Sequence, residues 1–254
     1  MDESNADPLI LKGMWDNSGE VLKQVTLDSG RYYEDEVGEK YYSVSTILDK
    51  TMHPAKRKAL DDWKASLPVG EADNIRNSAA SRGTQLHTLI EQYLLRGYQL
   101  PDEEFCQGEA YQLFQQYHKG FLRPAYIIPR LIEGKTHYSP NGFGYAGTVD
   151  LVAHIQLPTD KEPILTAVDH KSINKIEKAS DRVPGYKEQL AGYIASIRAK
   201  YGDEGDIRRG IINFASTRGF RQYVMDFDEI GEFWGRFHGK LERFYKEELW
   251  KGIV

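Results

Sequence analysis

The sequence predicts an α/β protein with a central mixed β-sheet flanked by helices. Apolar residues recur at helical spacing in one region, residues 77–121, and again in a second region, at residues 184–200 and 230–249, which indicates amphipathic helices. Residues 127–171, between these two regions, contain short apolar runs separated by glycine and proline, as successive strands do. One sheet covered by the helices is the simplest packing that buries both sets of apolar side chains.

The composition excludes several classes of protein. The 254 residues carry a net charge of -5, which is not the signature of a protein that coats nucleic acid through bulk charge. No apolar run approaches the ~20 residues that span a bilayer, and the acidic N-terminus lacks the apolar segment of a secretory signal. The single cysteine, Cys106, excludes disulfides within the chain. We expect a cytoplasmic protein, encoded by a bacterium or a phage, without membrane contact.

The N-terminal part is predicted to be an arm followed by helical elements. Residues 1–30 are weakly patterned, and residues 31–44 are typical of a small hairpin. Ser45 is predicted to cap a short helix, and Pro54 suits the first turn of the next helix, which carries Trp63. The predicted organisation is an arm and hairpin over residues 1–40 and one domain over residues 41–254, with helical elements at 45–121.

Two longer helices are predicted next, and strands after them. The first helix covers residues 77–95, where His87 and Glu91 lie four apart and therefore on one face. The second begins near Pro101 and reaches Phe121. Six strands follow, with a helix at residues 184–200 after the fourth and a long helix with one aromatic face at the end. The strand ranges are 127–128, 131–133, 145–155, 164–171, 207–215 and 220–227, and the last helix covers residues 230–249.

Two strands in the middle of the chain carry the groups that suggest a chemistry. Asp150 follows a glycine-rich run, and Asp169 stands two residues before Lys171. Because side chains alternate along a strand, Asp169 and Lys171 should share one face, and Asp150 should share a face with Val152. Two carboxylates and an ammonium group at a sheet edge suit a divalent cation and a water molecule that attacks a phosphate. The sequence therefore predicts a metal-dependent nuclease.

These motifs resemble those of the PD-(D/E)XK nuclease superfamily. The residues that carry the general resemblance are Gly147-X-X-Asp150, Asp169-X-Lys171 and Gln189-X-X-X-Tyr193, and Arg82-Gly83-X-X-X-His87-X-X-X-Glu91 resembles the RecB-like branch. Residues 43–48 with the Trp63 helix further resemble exonucleases of the mitochondrial genome maintenance type and their phage relatives. The resemblance covers residues 41–249. It implies a restriction-endonuclease-like core with an N-terminal helical extension.

The resemblance also implies how the site works. Asp150 and Asp169 would bind Mg²⁺ or Mn²⁺, with His87 and the backbone carbonyl of His170 as further ligands. Lys171 would orient the attacking water or stabilise charge on the phosphate. Other candidates are Gln189 as a contact to the water or the DNA backbone, and Glu133, which would reach the metal or a neighbour of it; a solvated glutamate is an equal alternative for Glu133. Glu91 would orient His87 or Arg82, or is only exposed, and Tyr193 is a core residue whose hydroxyl would lie near the site.

The expected substrate is single-stranded DNA or a free DNA end, cut by an exonuclease. Basic residues would contact the backbone, a helix N-terminus with its serines would hold a phosphate, and a tryptophan would stack on a base. Solvated charges and a plain helix cap are the alternatives for these residues. The candidates for DNA binding are Ser43, Ser45, Trp63, Arg82, Lys175 and Lys178. Two other functions stay open, an endonuclease of the same superfamily and a non-catalytic DNA-binding module, and the sequence does not set the oligomeric state.

Overall fold

The structure, a computed structural model, describes residues 7–16, 22–27, 30–101 and 107–250. Cys106 and parts of the predicted N-terminal arm lie outside these ranges. The described residues form eight β-strands and seven α-helices. The strands are β1 Lys23–Leu27, β2 Gly30–Glu34, β3 Lys40–Ser43, β4 Tyr126–Tyr138, β5 Tyr145–Gln156, β6 Ile164–Ser172, β7 Arg209–Ser216 and β8 Gly219–Met225. The helices are α1 Pro8–Gly13, α2 Val44–Lys50, α3 Pro54–Ala65, α4 Glu71–Leu95, α5 Gly108–Tyr117, α6 Val183–Tyr201 and α7 Phe227–Trp250.

The eight strands form one mixed sheet. Its order is β1-β2-β3-β5-β6-β7-β8, with β4 paired to β5 off this path. The β3–β5 and β6–β7 pairs are parallel, and the other pairs are antiparallel. This arrangement confirms the predicted α/β class with a central mixed sheet. No helix in the described part of the chain is long and apolar enough to cross a membrane.

Strand β5 lies at the centre, and its two edges differ. Along one edge, β4 pairs with it from Tyr145 to Gln156. The other edge is shared: β3 pairs with residues 145–146, and β6 pairs with residues 151–155. Residues 147–150 of β5 therefore lie where β3 and β6 diverge, and we call this place the fork. On that edge, Asp150 is therefore not paired with a residue of a neighbouring strand.

Helices cover the sheet on both faces. Helices α6 and α7 pack on one face, where Val152 and Ile212 belong to the same core cluster. Helices α4 and α5 pack on the opposite face, against Leu151 and Ile211. Leu151 and Val152 are neighbours on β5, and Ile211 and Ile212 are neighbours on β7. Because strand side chains alternate between faces, the two residues of each pair pack in opposite cores. The fork is held between two packed layers.

The N-terminal part contains more structure than the sequence indicates. Residues 1–30 were expected to be irregular, yet the described ones include α1, which Asp7 caps, and β1, which pairs with β2. The predicted cap at Ser45 is wrong, because the Ser43 hydroxyl accepts the hydrogen bond from the backbone N–H of Thr46 at 3.0 Å. The predicted hairpin is confirmed as β2 and β3, and α3 begins at Pro54 as expected.

The predicted strands at 127–128 and 131–133 are one strand. Strand β4 has 13 residues, and its pairing with β5 shifts by one residue between Pro129 and Leu131. Proline and glycine weaken a strand in isolation, which is why the sequence divides it. In the fold, β5 pairs along the whole of β4 and keeps it continuous.

Candidate metal centre and active site

Three side chains from three different elements meet at the fork. They are His87 of α4, Glu133 of β4 and Asp150 of β5, and one ligand atom of each lies within 4.8 Å of the others. The Nδ1 atom of His87 is 3.0 Å from Glu133 Oε1, and its Nε2 atom is 3.8 Å from Asp150 Oδ2. An imidazole nitrogen and two carboxylates are a donor set for a divalent cation. This group could therefore bind a metal ion.

The backbone of His170 adds polar atoms to the same place. Its carbonyl oxygen is 3.0 Å from Nε2 of His87, and its N–H donates to Asp150 Oδ2 at 2.6 Å. The resemblance implies this carbonyl as a ligand, and the geometry puts it beside the three side chains. Strand β6 therefore supplies backbone groups to the fork after it separates from β5.

Asp169 and Lys171 form a buried ion pair next to this group. Lys171 Nζ donates to Asp169 Oδ1 at 2.7 Å, and Asp169 is only 1% exposed. The other oxygen, Asp169 Oδ2, is buried and has no hydrogen-bond partner among the described residues. A buried acceptor without a partner is costly, so this oxygen is available to a cation. Asp169 lies close enough to Asp150 and His87 for their charges to act on it, and the expectation that Asp150 and Asp169 bind the same ion stays a prediction.

The charges at the fork fix the protonation of the ion pair. Burial raises the pKa of Asp169 to about 6, against the opposing effect of Lys171. Burial alone would lower the pKa of Lys171, yet the carboxylates of Asp169 and Asp150 hold it above its ordinary value. At neutral pH, Lys171 is therefore an ammonium group and Asp169 a carboxylate. Three acidic side chains, those of Glu133, Asp150 and Asp169, share one site, and a cation there would stabilise their ionised forms.

His87 is held in its protonated form by the same carboxylates. Burial alone would lower the pKa of His87, but the charges of Asp150 and Glu133 raise it to about 9. Both ring nitrogens face acceptors, Glu133 Oε1 and the carbonyl oxygen of His170, so both donate when the ring is doubly protonated. A metal ion at His87 would have to replace one of these protons.

The backbone at the fork differs from the predicted alternation. Val149 and Val152 both belong to the core cluster under α6 and α7, so the side chains between them do not alternate strictly. The prediction that Asp150 shares the face of Val152 is wrong, because Asp150 instead approaches His87 of α4. Opposite Asp150, Glu133 has a left-handed φ of 48°, a conformation that costs on the order of 1–3 kcal/mol outside glycine. Such strain is typical of functional sites, and it turns Glu133 towards the fork.

A chain of buried hydrogen bonds holds His170 on the face of the sheet that α4 and α5 cover. Burial holds the pKa of His170 well below its ordinary value, so the ring is neutral, and its Nδ1 atom shares a hydrogen bond of 2.6 Å with the Tyr117 hydroxyl. Asn213 Nδ2 donates to that hydroxyl at 2.9 Å, and Gln222 Nε2 donates to Asn213 Oδ1 at 3.0 Å. Tyr117, Asn213 and Gln222 were not among the candidates predicted from the sequence; the one available signal was a polar Asn213 inside an apolar strand. The chain fixes the peptide groups of His170 that face Asp150 and His87.

We expect the Tyr117→Phe variant to bind Mn²⁺ about tenfold more weakly than wild type, since partners behind a metal ligand commonly change affinity by 10–100-fold. The substitution leaves His170 Nδ1 without its hydrogen-bond partner and should lower stability by about 1–3 kcal/mol. Calorimetric titration and thermal denaturation measure the two effects. Tyr126→Phe, at an exposed tyrosine of β4, is the control and should change neither. Lower stability with an unchanged Mn²⁺ affinity would show that the chain is only structural.

Gln189 and Tyr193 lie on α6 next to the fork. Gln189 Nε2 donates to the Tyr193 hydroxyl at 2.8 Å. The Tyr193 ring packs so closely on Gly147 that a Cβ there would overlap the ring, which explains the glycine. Lys171 Nζ lies 4.8 Å from the centroid of the Tyr186 ring, also on α6. These contacts place the start of α6 against the Lys171 side of the site.

The remaining candidate residues differ in whether their side chains are already bonded within the protein or are exposed and able to contact DNA. The Ser43 hydroxyl is engaged with Thr46 and with the Ser45 hydroxyl. Arg82 is paired with Glu109 at 3.3 Å and bonded to Asn174. The Nδ1 partner of His87 is Glu133, and not Glu91 as considered from the sequence. The candidates with exposed side chains are Ser45, Trp63, Lys175 and Lys178.

Comparison with known proteins adds little to this geometry. No family model and no curated protein matches the chain. The solved structure of the protein SSO0001 is 14% identical, covers 78% of this chain and 75% of its own, and has a TM-score of 0.37. A structure from Eubacterium rectale named "Putative exonuclease" is 14% identical, covers 68% of this chain and 69% of its own, and has a TM-score of 0.42. Scores this low carry no inference about function.

Proposed function

We propose that the protein is a divalent-metal-dependent nuclease that hydrolyses phosphodiester bonds of DNA. The observation that supports this most is the meeting of two kinds of group at the fork. One is the donor set of His87, Glu133 and Asp150, and the other is the buried pair of Asp169 and Lys171 beside it. A non-catalytic DNA-binding module would have no use for several acidic side chains held close together, two of them, Asp150 and Asp169, buried.

The residues at the fork have separate tasks in this proposal. His87, Glu133 and Asp150 would hold Mg²⁺ or Mn²⁺, and Asp169 Oδ2 is a further oxygen that could reach the ion. A bound ion of this kind lowers the pKa of water and neutralises charge on the phosphate. Lys171 stays an ammonium group at neutral pH, so it donates hydrogen bonds to developing negative charge and does not accept the proton of the water.

The proposed substrate is single-stranded DNA or a free DNA end, cut by an exonuclease. The motif resemblance supports this choice. In addition, the loop after β6 carries the exposed Lys175 and Lys178 close along the chain to Lys171, where they could contact a backbone.

End-labelled linear single-stranded DNA and covalently closed circular single-stranded DNA, each with Mg²⁺ or Mn²⁺, test the proposal. We expect the linear strand to be degraded and the circle to stay intact, because an exonuclease needs an end. Cleavage of the circle would indicate the endonuclease alternative. No degradation of either substrate with either metal would contradict the nuclease function itself, and Asp150→Asn is the inactive control.

A further inference from the structure

A cavity of about 630 Å³ opens beside the Lys171 side of the site, between α2, α3 and the start of α6. Its walls are partly apolar and partly polar, and its volume lies in the range of small-molecule pockets, roughly 300–1,000 Å³. The apolar side chains that line it include Leu48, Met52, Leu60 and Tyr186. No step of the proposed hydrolysis uses this space.

Direct contacts connect the cavity to the candidate active site. Tyr186, one of its walls, packs against the ammonium group of Lys171, which in turn bonds Asp169 at 2.7 Å. Gln189 also lines the cavity and bonds Tyr193 at the fork. If a phosphate lay beside Lys171, the group attached to that phosphate would therefore lie next to the opening of the cavity.

The charges around the cavity are mostly compensated. Asp49 is paired with Arg57 at 3.1 Å, and Glu188 is paired with Lys240 at 2.5 Å. Among the Asp, Glu, Lys and Arg residues that line the cavity, three have no ion pair with another described residue, and these are Lys56, Asp181 and Arg182, two cations and one anion. Such a lining suits an uncharged, flat group with polar edges that is attached to one phosphate.

We propose that this cavity binds the nucleobase of the nucleotide next to the scissile phosphate. This inference rests on the proposed nuclease function and specifies its substrate. A base enters such a cavity only when it is unpaired, so the site selects a single strand over a duplex. The Tyr186 ring and the apolar side chains of α2 and α3 contact the face of the base, while phosphate contacts stay with Lys171.

Leu60→Glu tests the proposal without disturbing the core, because α3 contains no buried residue. Ala59→Glu, at an exposed neighbour that does not line the cavity, adds the same charge to the same helix. Two probes are compared, a short single-stranded oligonucleotide and the same oligonucleotide without its terminal base. Binding is measured by fluorescence anisotropy with EDTA, where metal-dependent hydrolysis cannot occur, and KM and kcat are then measured with Mn²⁺.

We expect Leu60→Glu to weaken binding of the complete oligonucleotide about tenfold, as loss of a stacked base does. The strand without the terminal base should bind wild type and Leu60→Glu alike, and Ala59→Glu should match wild type on both probes. With Mn²⁺, the loss should appear in KM and not in kcat. Equal weakening on both probes, or no weakening on either, would overturn the inference. Because the binding measurement needs no hydrolysis, an inactive protein would refute the proposed function separately.

Discussion

Hydrolysis of linear single-stranded DNA at saturating Mn²⁺ will fall by about a hundredfold or more when Lys171 is replaced by methionine, since one lost donor to transition-state charge costs roughly 10²–10³ in rate. Methionine keeps the length of the aliphatic chain and removes the ammonium group. The ion-binding group of His87, Glu133 and Asp150 does not include Lys171, so saturable Mn²⁺ binding should persist. Single-turnover rates and calorimetric titration measure the two properties.

The same substitution leaves Asp169 without its partner, and this has to be separated from the effect on catalysis. An isolated buried charge costs about 3–5 kcal/mol of stability, so thermal denaturation must show that Lys171→Met is folded at the assay temperature. Lys161→Met removes an exposed lysine ten positions away, to which no role in binding is given, and is the matched control. A folded Lys171→Met variant that binds Mn²⁺ and hydrolyses DNA at the wild-type rate would refute the role given to Lys171.

Local pattern predicts those parts of this protein that depend on local physics. The apolar periodicity of α4 and α6, Pro54 at the first turn of α3, and the hairpin of β2 and β3 all follow from neighbouring residues. The same is true of Asp169 and Lys171, whose common face follows from their spacing and is confirmed by their contact. These features need no knowledge of the tertiary fold.

The rest of the site depends on contacts between distant parts of the chain. Glu133 meets His87 across 46 positions, and Tyr117 meets His170 across 53. No spacing rule connects such pairs. The direction of the Asp150 side chain depends on the fork in the sheet and on the positive φ of Glu133 on the neighbouring strand. A rule of strict alternation along the strand does not predict this direction. This is why the sequence identifies the charged groups of the site more readily than their arrangement.

Mn²⁺ affinity should rise about tenfold for each pH unit above neutrality and level off near pH 9, because the ion displaces one proton from His87. The pKa of His87 is raised to about 9, so below that pH the ring is mostly imidazolium, and its neutral fraction grows tenfold per unit. Asp169, with its pKa near 6, is already ionised above neutral pH and adds no slope. Calorimetry at pH 7 in two buffers of different ionisation enthalpy should show about one proton released per ion bound.

The stability of the ion-free protein should fall as the pH rises, whereas the Mn²⁺ affinity should increase. These opposite trends make the prediction specific to the site. A histidine whose pKa is raised on folding stabilises the protein fully below its unfolded pKa of about 6.5, and this stabilisation is lost as the pH rises through 9. The increase in melting temperature on adding Mn²⁺ should therefore grow with pH. His87→Asn should remove the pH dependence of both quantities, whereas His238→Asn, at a histidine of α7 near Glu242, should keep it. A wild-type affinity that is independent of pH between 7 and 9 would show that the ion displaces no proton over this range, and would contradict the exchange of a His87 proton for the ion.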